Sequence, residues 1–263
     1  MEIKFTNYLY NEQEINFTIE NKTITGITGT FLTDYIDILM QRKQGKGTIL
    51  INEEKLTKEN IKSYQKKISF VPAILVIPKH ILTVNELMKQ TIKQNNLIIK
   101  DYSKKIRDSL KIVGLDETYL ERTLQTLSQS EKKILQYALS LISNPELIIA
   151  EEPFRFLDNK NEKKIIMLLQ RLKEQFNINI ILLSNDQNTL HKYTDNMIFI
   201  KNNNVILEGQ TNEVYQRVDF LKKNKFLIPE IIDFTYLAKK KKSVKIDYHK
   251  DIRDIIKDIY KHV

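Results

Sequence analysis

The chain has 263 residues, 41% of them apolar and 29% charged, which suits one α/β domain with an appendage or two small domains. No apolar run approaches the roughly 18 residues of a membrane-spanning helix, and "MEIKFTNYLY" lacks the basic start and apolar stretch of a secretory signal, so a cytoplasmic protein is expected. The absence of cysteine excludes a disulfide framework and thiolate metal sites, the histidines (His80, His191, His249, His262) show no ligand spacing, and the +9 net charge is dispersed among acidic residues as on a solvated surface.

In chain order, "EIKFTNYLY" and "EINFTIE" alternate weakly and predict two strands, and "TITGITG" predicts a third strand running into a turn. "TDYIDILMQR" has a helical period, with Thr33 or Asp34 as its N-cap. "KGTILINEEKL" predicts a glycine turn and a further strand, and "KKISFVPAILV" an apolar run broken at Pro72. From Val84 to Gly114 the pattern is helical, with glycine as the stop signal. "SQSEKKILQYALSLISN" predicts an amphipathic helix with Ile134, Leu135, Ala138, Leu139 and Leu141 on one face; Ser128 caps it and Glu131 completes a capping box. "PELIIAEEP" and "NINIILLSND" predict buried strands flanking the amphipathic helix "NEKKIIMLLQRLKEQF", and "NMIFIKNNNVILEGQ" predicts a hairpin with an Asn-rich turn. This alternation implies crossover units and a mainly parallel sheet. From about Asn212 to the end the chain predicts several short helices around Pro229, with a basic run Lys239–Lys242 that reads as a solvated helix end or a contact with acidic lipid.

The order of these pieces resembles the ATP-binding cassette of membrane transporters, over most of residues 1–215. "TLSQSEKKILQYALSLISNPELIIAEEPFRFLDNKNEKKIIMLLQRL" is similar to that family's signature helix, Walker B strand and D-loop in unbroken register. "GQTNEVYQRVDFLKKNKFLIPEIIDFTYLAKKK" is similar to the C-terminal region of the ATPase subunits of energy-coupling-factor (ECF) importers, which take up vitamins and metal ions. The resemblance implies an α/β fold of the P-loop NTPase kind: a nucleotide-binding-like domain over residues 1–211, a helical subdomain at about 84–140, and a C-terminal helical extension over 212–263.

Set against the family pattern, the chain departs at most of its chemical positions. The phosphate loop G-x-x-G-x-G-K-[ST] wraps phosphates with backbone N–H groups and supplies a lysine. With Gly26 and Gly29 as its first two glycines, Phe31 replaces the third, Leu32 replaces the lysine, and Thr33 stands at the magnesium-binding hydroxyl. Alternatively the loop begins at Gly29 and residues are deleted; either way no lysine lies between Lys22 and Lys43. As a plain turn, the two glycines would hold no ligand at all. Ala73 takes the position of the switch glutamine, Asn185 that of the switch histidine, and Glu151 that of the Walker B aspartate. The signature is Leu127-Ser128-Gln129-Ser130-Glu131, without glycines: Gln129 and Ser130 would crowd a phosphate at that helix start and Glu131 would repel it. Glu152 matches the general base, Asp186 fits the family, and Asp158 fits the D-loop aspartate that faces a partner subunit.

These departures lead to the expectation of a non-catalytic cassette subunit with no tightly bound cofactor. It would pair head-to-tail with another ATPase subunit, as a hetero- or homodimer, and couple it to a transmembrane importer subunit through a surface around residues 73–100, at the inner face of the membrane. Two other readings stand beside it. One is an atypical working ATPase, binding ATP and magnesium, in which Lys22 or Lys43 reaches the phosphates. The other is a basic nucleic-acid or ribosome-associated module, against which stands the lack of an aromatic-interleaved basic patch.

Overall fold

The computed structural model describes residues 1–242 and 246–261, and its side-chain detail excludes Lys241, Lys242 and Lys261. His262 therefore lies outside the described residues, as do the side chains of the second half of the Lys239–Lys242 run.

Strands β1 (Ile3–Tyr10) and β2 (Gln13–Ile19) pair antiparallel, and β1 also pairs with β4 (Lys46–Ile51), which carries the short β5 (Glu54–Lys55) at its edge. Alternation along β1 and β2 places Ile3, Phe5, Ile15, Phe17 and Ile19 in the core. Phe5 stacks on Phe17 with ring centroids 4.6 Å apart. Between β2 and β4 the chain leaves this sheet for β3 (Ile24–Gly29) and α1 (Leu32–Leu39), whose Tyr35, Ile36, Ile38 and Leu39 close over the same core.

β3 lies inside a second, six-stranded sheet. After α2 (Ile61–Lys66) come β6 (Ile68–Val71), α3 (Val84–Gln94), α4 (Tyr102–Ile112) and α5 (Gln129–Leu141); then β7 (Leu147–Glu151), α6 (Asn159–Phe176), β8 (Asn179–Leu183), α7 (Gln187–Tyr193), β9 (Asn196–Lys201) and β10 (Asn204–Gln210). The strand order is β10-β9-β3-β8-β7-β6. The last five are mutually parallel and β10 returns antiparallel to β9, so the predicted mainly parallel sheet is observed. Because these strands are parallel, the C-terminal ends of β6, β7, β8 and β3 share one edge, where open α/β sheets place their ligands. The sheet is buried on both faces, and β8 has no exposed residue. The chain ends in α8 (Thr211–Tyr215), α9 (Val218–Lys223), α10 (Glu230–Lys242) and α11 (Ile252–Lys261).

Two local expectations are corrected. The helical pattern from Val84 to Gly114 is two helices: Asn95 and Asn96 close α3, with Asn96 left-handed at φ 49°, and the Asp101 side chain caps α4 by accepting from the Lys104 N–H. Asparagine tolerates the left-handed region that ends a helix, so the break is encoded by residue type and not by apolar spacing. At α1, Thr33 and Asp34 lie inside the helix; the N-cap is Phe31, left-handed at φ 58° and ψ 34°, with no side-chain cap. At α5, the Ser128–Glu131 capping box is present as expected. Ile134, Leu135, Ala138 and Leu141 of its apolar face are buried, while Leu139 is half-buried on the wall of a groove.

Candidate functional site

The turn between β3 and α1 is short. Gly29 ends the strand, Leu32 begins the helix, and only Thr30 and Phe31 lie between them. Gly26 is not part of the turn; it is the third residue of β3. A Cβ there would lie 2.4 Å from Met197 Sδ, so glycine lets the Met197 side chain of β9 pack close against the strand. Gly29 is required by geometry: its φ is 130°, and a Cβ would stand 1.8 Å from the Ile200 carbonyl oxygen. The arrangement matches the deletion alignment that starts from Gly29 and corrects the placement of Gly26 in the loop.

Two backbone donors of this turn are already engaged. The Gly29 N–H donates to Asn185 Oδ1 at 3.0 Å, and the Thr30 N–H donates to the Ile200 carbonyl at 3.2 Å. Asn185, in the switch-histidine position after β8, also accepts from the Thr28 hydroxyl at 3.0 Å. That hydroxyl accepts from Gln187 Nε2 at 2.6 Å, and Gln187 Oε1 accepts from the Tyr215 hydroxyl at 2.7 Å. A buried polar chain thus ties the turn to α7 and α8. Leu32 is half-buried at the helix start, and Thr33 is exposed beside it.

At the neighbouring strand ends, Glu151 Oε2 accepts from the Ala73 N–H at 3.1 Å, which joins the end of β7 to the segment after β6. Glu152 is left-handed at φ 43°; its N–H donates to the Leu183 carbonyl at 2.8 Å and its Oε2 accepts from the Ser184 hydroxyl at 3.0 Å. Asp186 caps α7, and Asp158 caps α6 by accepting from the Asn161 N–H at 2.7 Å.

One charged group here was not foreseen from sequence. Lys133 of α5 is 2% exposed, and its ammonium donates to the Pro72 carbonyl at 3.0 Å and to the Glu151 carbonyl at 3.1 Å. Burial pulls its pKa down to about 8, while Glu151 and Glu152 act to hold the proton on. The signal for it was present: a lysine four residues before Tyr137, on the buried stripe of the helix, where Tyr137 in turn donates to the Pro153 carbonyl at 2.9 Å.

At the start of α5, Leu127 is buried, Ser128 and Gln129 are exposed, and Ser130 Oγ accepts from Asn161 Nδ2 at 3.1 Å. Glu131 does not present a free charge, which corrects the expected repulsion. Its carboxylate accepts from Arg122 Nη1 at 2.5 Å, the Tyr119 hydroxyl at 2.7 Å and the Ser128 N–H at 2.8 Å. The Arg122 guanidinium, with that backbone donor and the phenol, holds its pKa down to about 2. Of the lysines considered as substitutes, Lys43 is paired with Asp34 at 3.1 Å and Asp37 at 3.0 Å. Lys22 precedes β3, at the strand end opposite the turn, about 20 Å away at the usual rise of a strand.

Chemically, this edge offers two carboxylates engaged in hydrogen bonds, a buried ammonium, and a short turn whose Gly29 and Thr30 N–H groups serve the protein itself. Among the described residues no cluster of His, Cys, Asp and Glu fits a metal ion, and no helix is long and apolar enough to cross a membrane.

Comparison with known proteins gives a consistent picture. The ABC transporter family profile matches residues 13–155, more than half of the chain. An energy-coupling factor transporter ATP-binding protein, EcfA2 of Enterococcus faecalis, is 26% identical over 84% of this chain and 79% of its own length. A probable ABC transporter ATP-binding protein, p29 of Mesomycoplasma hyorhinis, is 28% identical over 74% of this chain and 76% of its own. Among solved structures, cbiO1 of Clostridium perfringens, part of an ABC transporter complex, superposes with a TM-score of 0.71 over 89% of this chain and 98% of its own, at 21% identity. The dimeric cassette MJ0796, bound to ADP and Pi, gives 0.67 over 80% and 98%, at 20% identity.

Proposed function

The chain belongs to the ABC transporter family, and from that premise we propose that it is a non-catalytic cassette subunit of an ECF-type importer. In this reading it pairs head-to-tail with a second cassette and couples it to a transmembrane subunit at the inner face of the membrane. The observation that carries the non-catalytic part is the β3–α1 turn. Two residues cannot wrap a triphosphate, no lysine is at hand, and the donors of Gly29 and Thr30 are spent on Asn185 and Ile200. Phosphoryl transfer depends on positioning and charge stabilisation acting together. In this reading Glu152, the residue in the general-base position, has no full phosphate loop beside it to position a phosphate.

Similarity to ECF ATP-binding proteins over most of the chain supports the importer setting. A groove of about 530 Å³ between β6, α3 and α5 is suited to the membrane subunit: the apolar Phe70, Pro72, Leu75 and Leu87 line it together with Gln90 and Gln136. Both amide atoms of Gln136, which is 3% exposed, lack hydrogen-bond partners, as does Gln90 Oε1. Such atoms are costly unless an occupant or a rearrangement satisfies them. The domain boundaries at 211–212 and the subdomain at about 84–140 are part of the same proposal.

Isothermal titration of the purified chain with ATP and magnesium tests the reading. No heat of binding is expected up to millimolar nucleotide. Submicromolar affinity, or steady turnover abolished by Glu152→Gln, would establish the working ATPase instead.

A further inference from the structure

We propose that the seam between α7 and the C-terminal helices is a binding site for a small monocarboxylate with an apolar body. A cleft of about 500 Å³, within the size range of small-molecule sites, lies there between α7, α10, α11 and the segment just before α11. It is remote in sequence from the β3–α1 turn and stands whether or not that turn holds nucleotide.

The polar wall is built around a side chain without a partner. His191 of α7 lines the cleft and is 2% exposed, yet its imidazole makes no hydrogen bond among the described residues. The Tyr215 ring stands edge-on to it, with centroids 5.0 Å apart. Burial, helped by Lys250, pulls the His191 pKa down to about 4, so at neutral pH the ring is uncharged and keeps one N–H to donate. A buried donor left unmade is costly. Lys250 lines the same cleft; its ammonium donates to the Thr194 carbonyl at 2.6 Å and has two further N–H groups. A carboxylate in the cleft accepts from both residues, in charge-assisted bonds.

Charge sets the class of ligand. Lys192 and Lys250 line the cleft together with Glu230 and Asp251. Asp251 is held by the Arg253 guanidinium at 3.0 Å, while Glu230 makes no ion pair among the described residues. Lys173 and Asp195, which also act on Lys250, pair with each other at 3.2 Å. The balance is a surplus of a single positive charge, which suits a monoanion and opposes a dianion such as a phosphate monoester. The opposite wall is apolar: Ile255 is 2% exposed, but Phe234 and Ile252 stay 53% and 64% exposed although they line the cleft. An apolar body attached to the carboxylate takes that surface out of water. Two hydrogen bonds already cross the seam, from the Glu230 N–H to Asn188 Oδ1 at 2.9 Å and from Lys250 to Thr194. A ligand lodged between them fastens the C-terminal helices to α7.

The test uses the full chain labelled with nitrogen-15 histidine and, as the probe, 3-phenylpropionate. Saturable binding is expected with a dissociation constant of about 1 mM or tighter, accompanied by a shift of the His191 ring nitrogens. The neutral 3-phenylpropanol and the dianionic 3-phenylpropyl phosphate should bind more weakly by about tenfold or more, and so should the acid to Lys250→Met and to Phe234→Ala. Phe234 is half exposed, so Phe234→Ala keeps the test open if Lys250→Met does not fold; melting curves establish which variants are folded. No saturable shift at His191, undiminished affinity of folded Phe234→Ala or Lys250→Met, or equal binding of the alcohol overturns the site. Tighter binding of the phosphate overturns the monocarboxylate class. None of these outcomes touches the nucleotide reading, which the ATP titration decides.

Discussion

Lys133 is the least expected residue of the molecule, and its physics sets a pH signature. Its folded-state pKa is lowered by burial to about 8, below the 10.5 of an exposed lysine. The unfolded chain therefore binds more protons between those values, and stability rises with pH across that window, by at most about 3 kcal/mol. Other groups titrate there too, so the informative quantity is the difference from Lys133→Met. That variant should lose the rise, read as melting temperature against pH from 7.5 to 10.5; equal slopes would mean the ammonium is not buried as described. Glu131 gives the opposite case. Its folded pKa, held to about 2 chiefly by Arg122, makes its contribution complete above the unfolded value near 4.5 and lost as pH falls through 2. Glu131→Gln removes an ion pair and weakens the capping box, and should cost about 1–2 kcal/mol at pH 7 and much less at pH 2, measured by urea denaturation.

At the scale of elements, the strands and helices that carry the sheet follow from apolar runs, turn residues and caps. The Ser128–Glu131 box, the buried run of β8 and the Asn202–Asn203 turn between β9 and β10 are all written locally, and both of those asparagines are left-handed as a tight hairpin turn requires. What sequence could not show is contact between distant residues. Asn185 was legible as a substitution at a switch position, but its grip on Gly29 and Thr28 joins residues more than 150 positions apart. The charge of Glu131 was legible; its neutralisation by Arg122, nine residues earlier across one 3₁₀ turn, was not. Gly26 looked like a loop glycine because close approach of β9 and a phosphate loop both call for the same residue. The polar chain Asn185–Thr28–Gln187–Tyr215 is expected to fix the turn. Asn185→Ala leaves the Gly29 N–H and the Thr28 hydroxyl without that acceptor, and should cost about 1–3 kcal/mol by denaturant midpoint. It should also speed amide exchange at Gly29, the direct mark of a released turn.

For the whole molecule, the proposed loss of the nucleotide site would be a matter of architecture rather than of one charge. The lysine of a phosphate loop acts on a phosphate that several backbone donors have already placed, and those donors exist only where the chain between strand and helix is long enough to curl. Here β3 passes to α1 through Thr30 and Phe31, and the turn is bonded to the ends of β8 and β9. Leu32→Lys would return a cation to the first turn of α1, where the positive end of the helix dipole already disfavours one, and would leave the Gly29 and Thr30 donors engaged. The expected result is that Leu32→Lys binds ATP with magnesium no better than the parent chain in calorimetry at millimolar nucleotide. Replacing Thr30 and Phe31 in the same variant with a full-length glycine-rich loop should be the change that produces measurable binding. Submicromolar affinity from Leu32→Lys alone would show that the short turn opens readily, and that the fold kept its nucleotide site in all but one side chain.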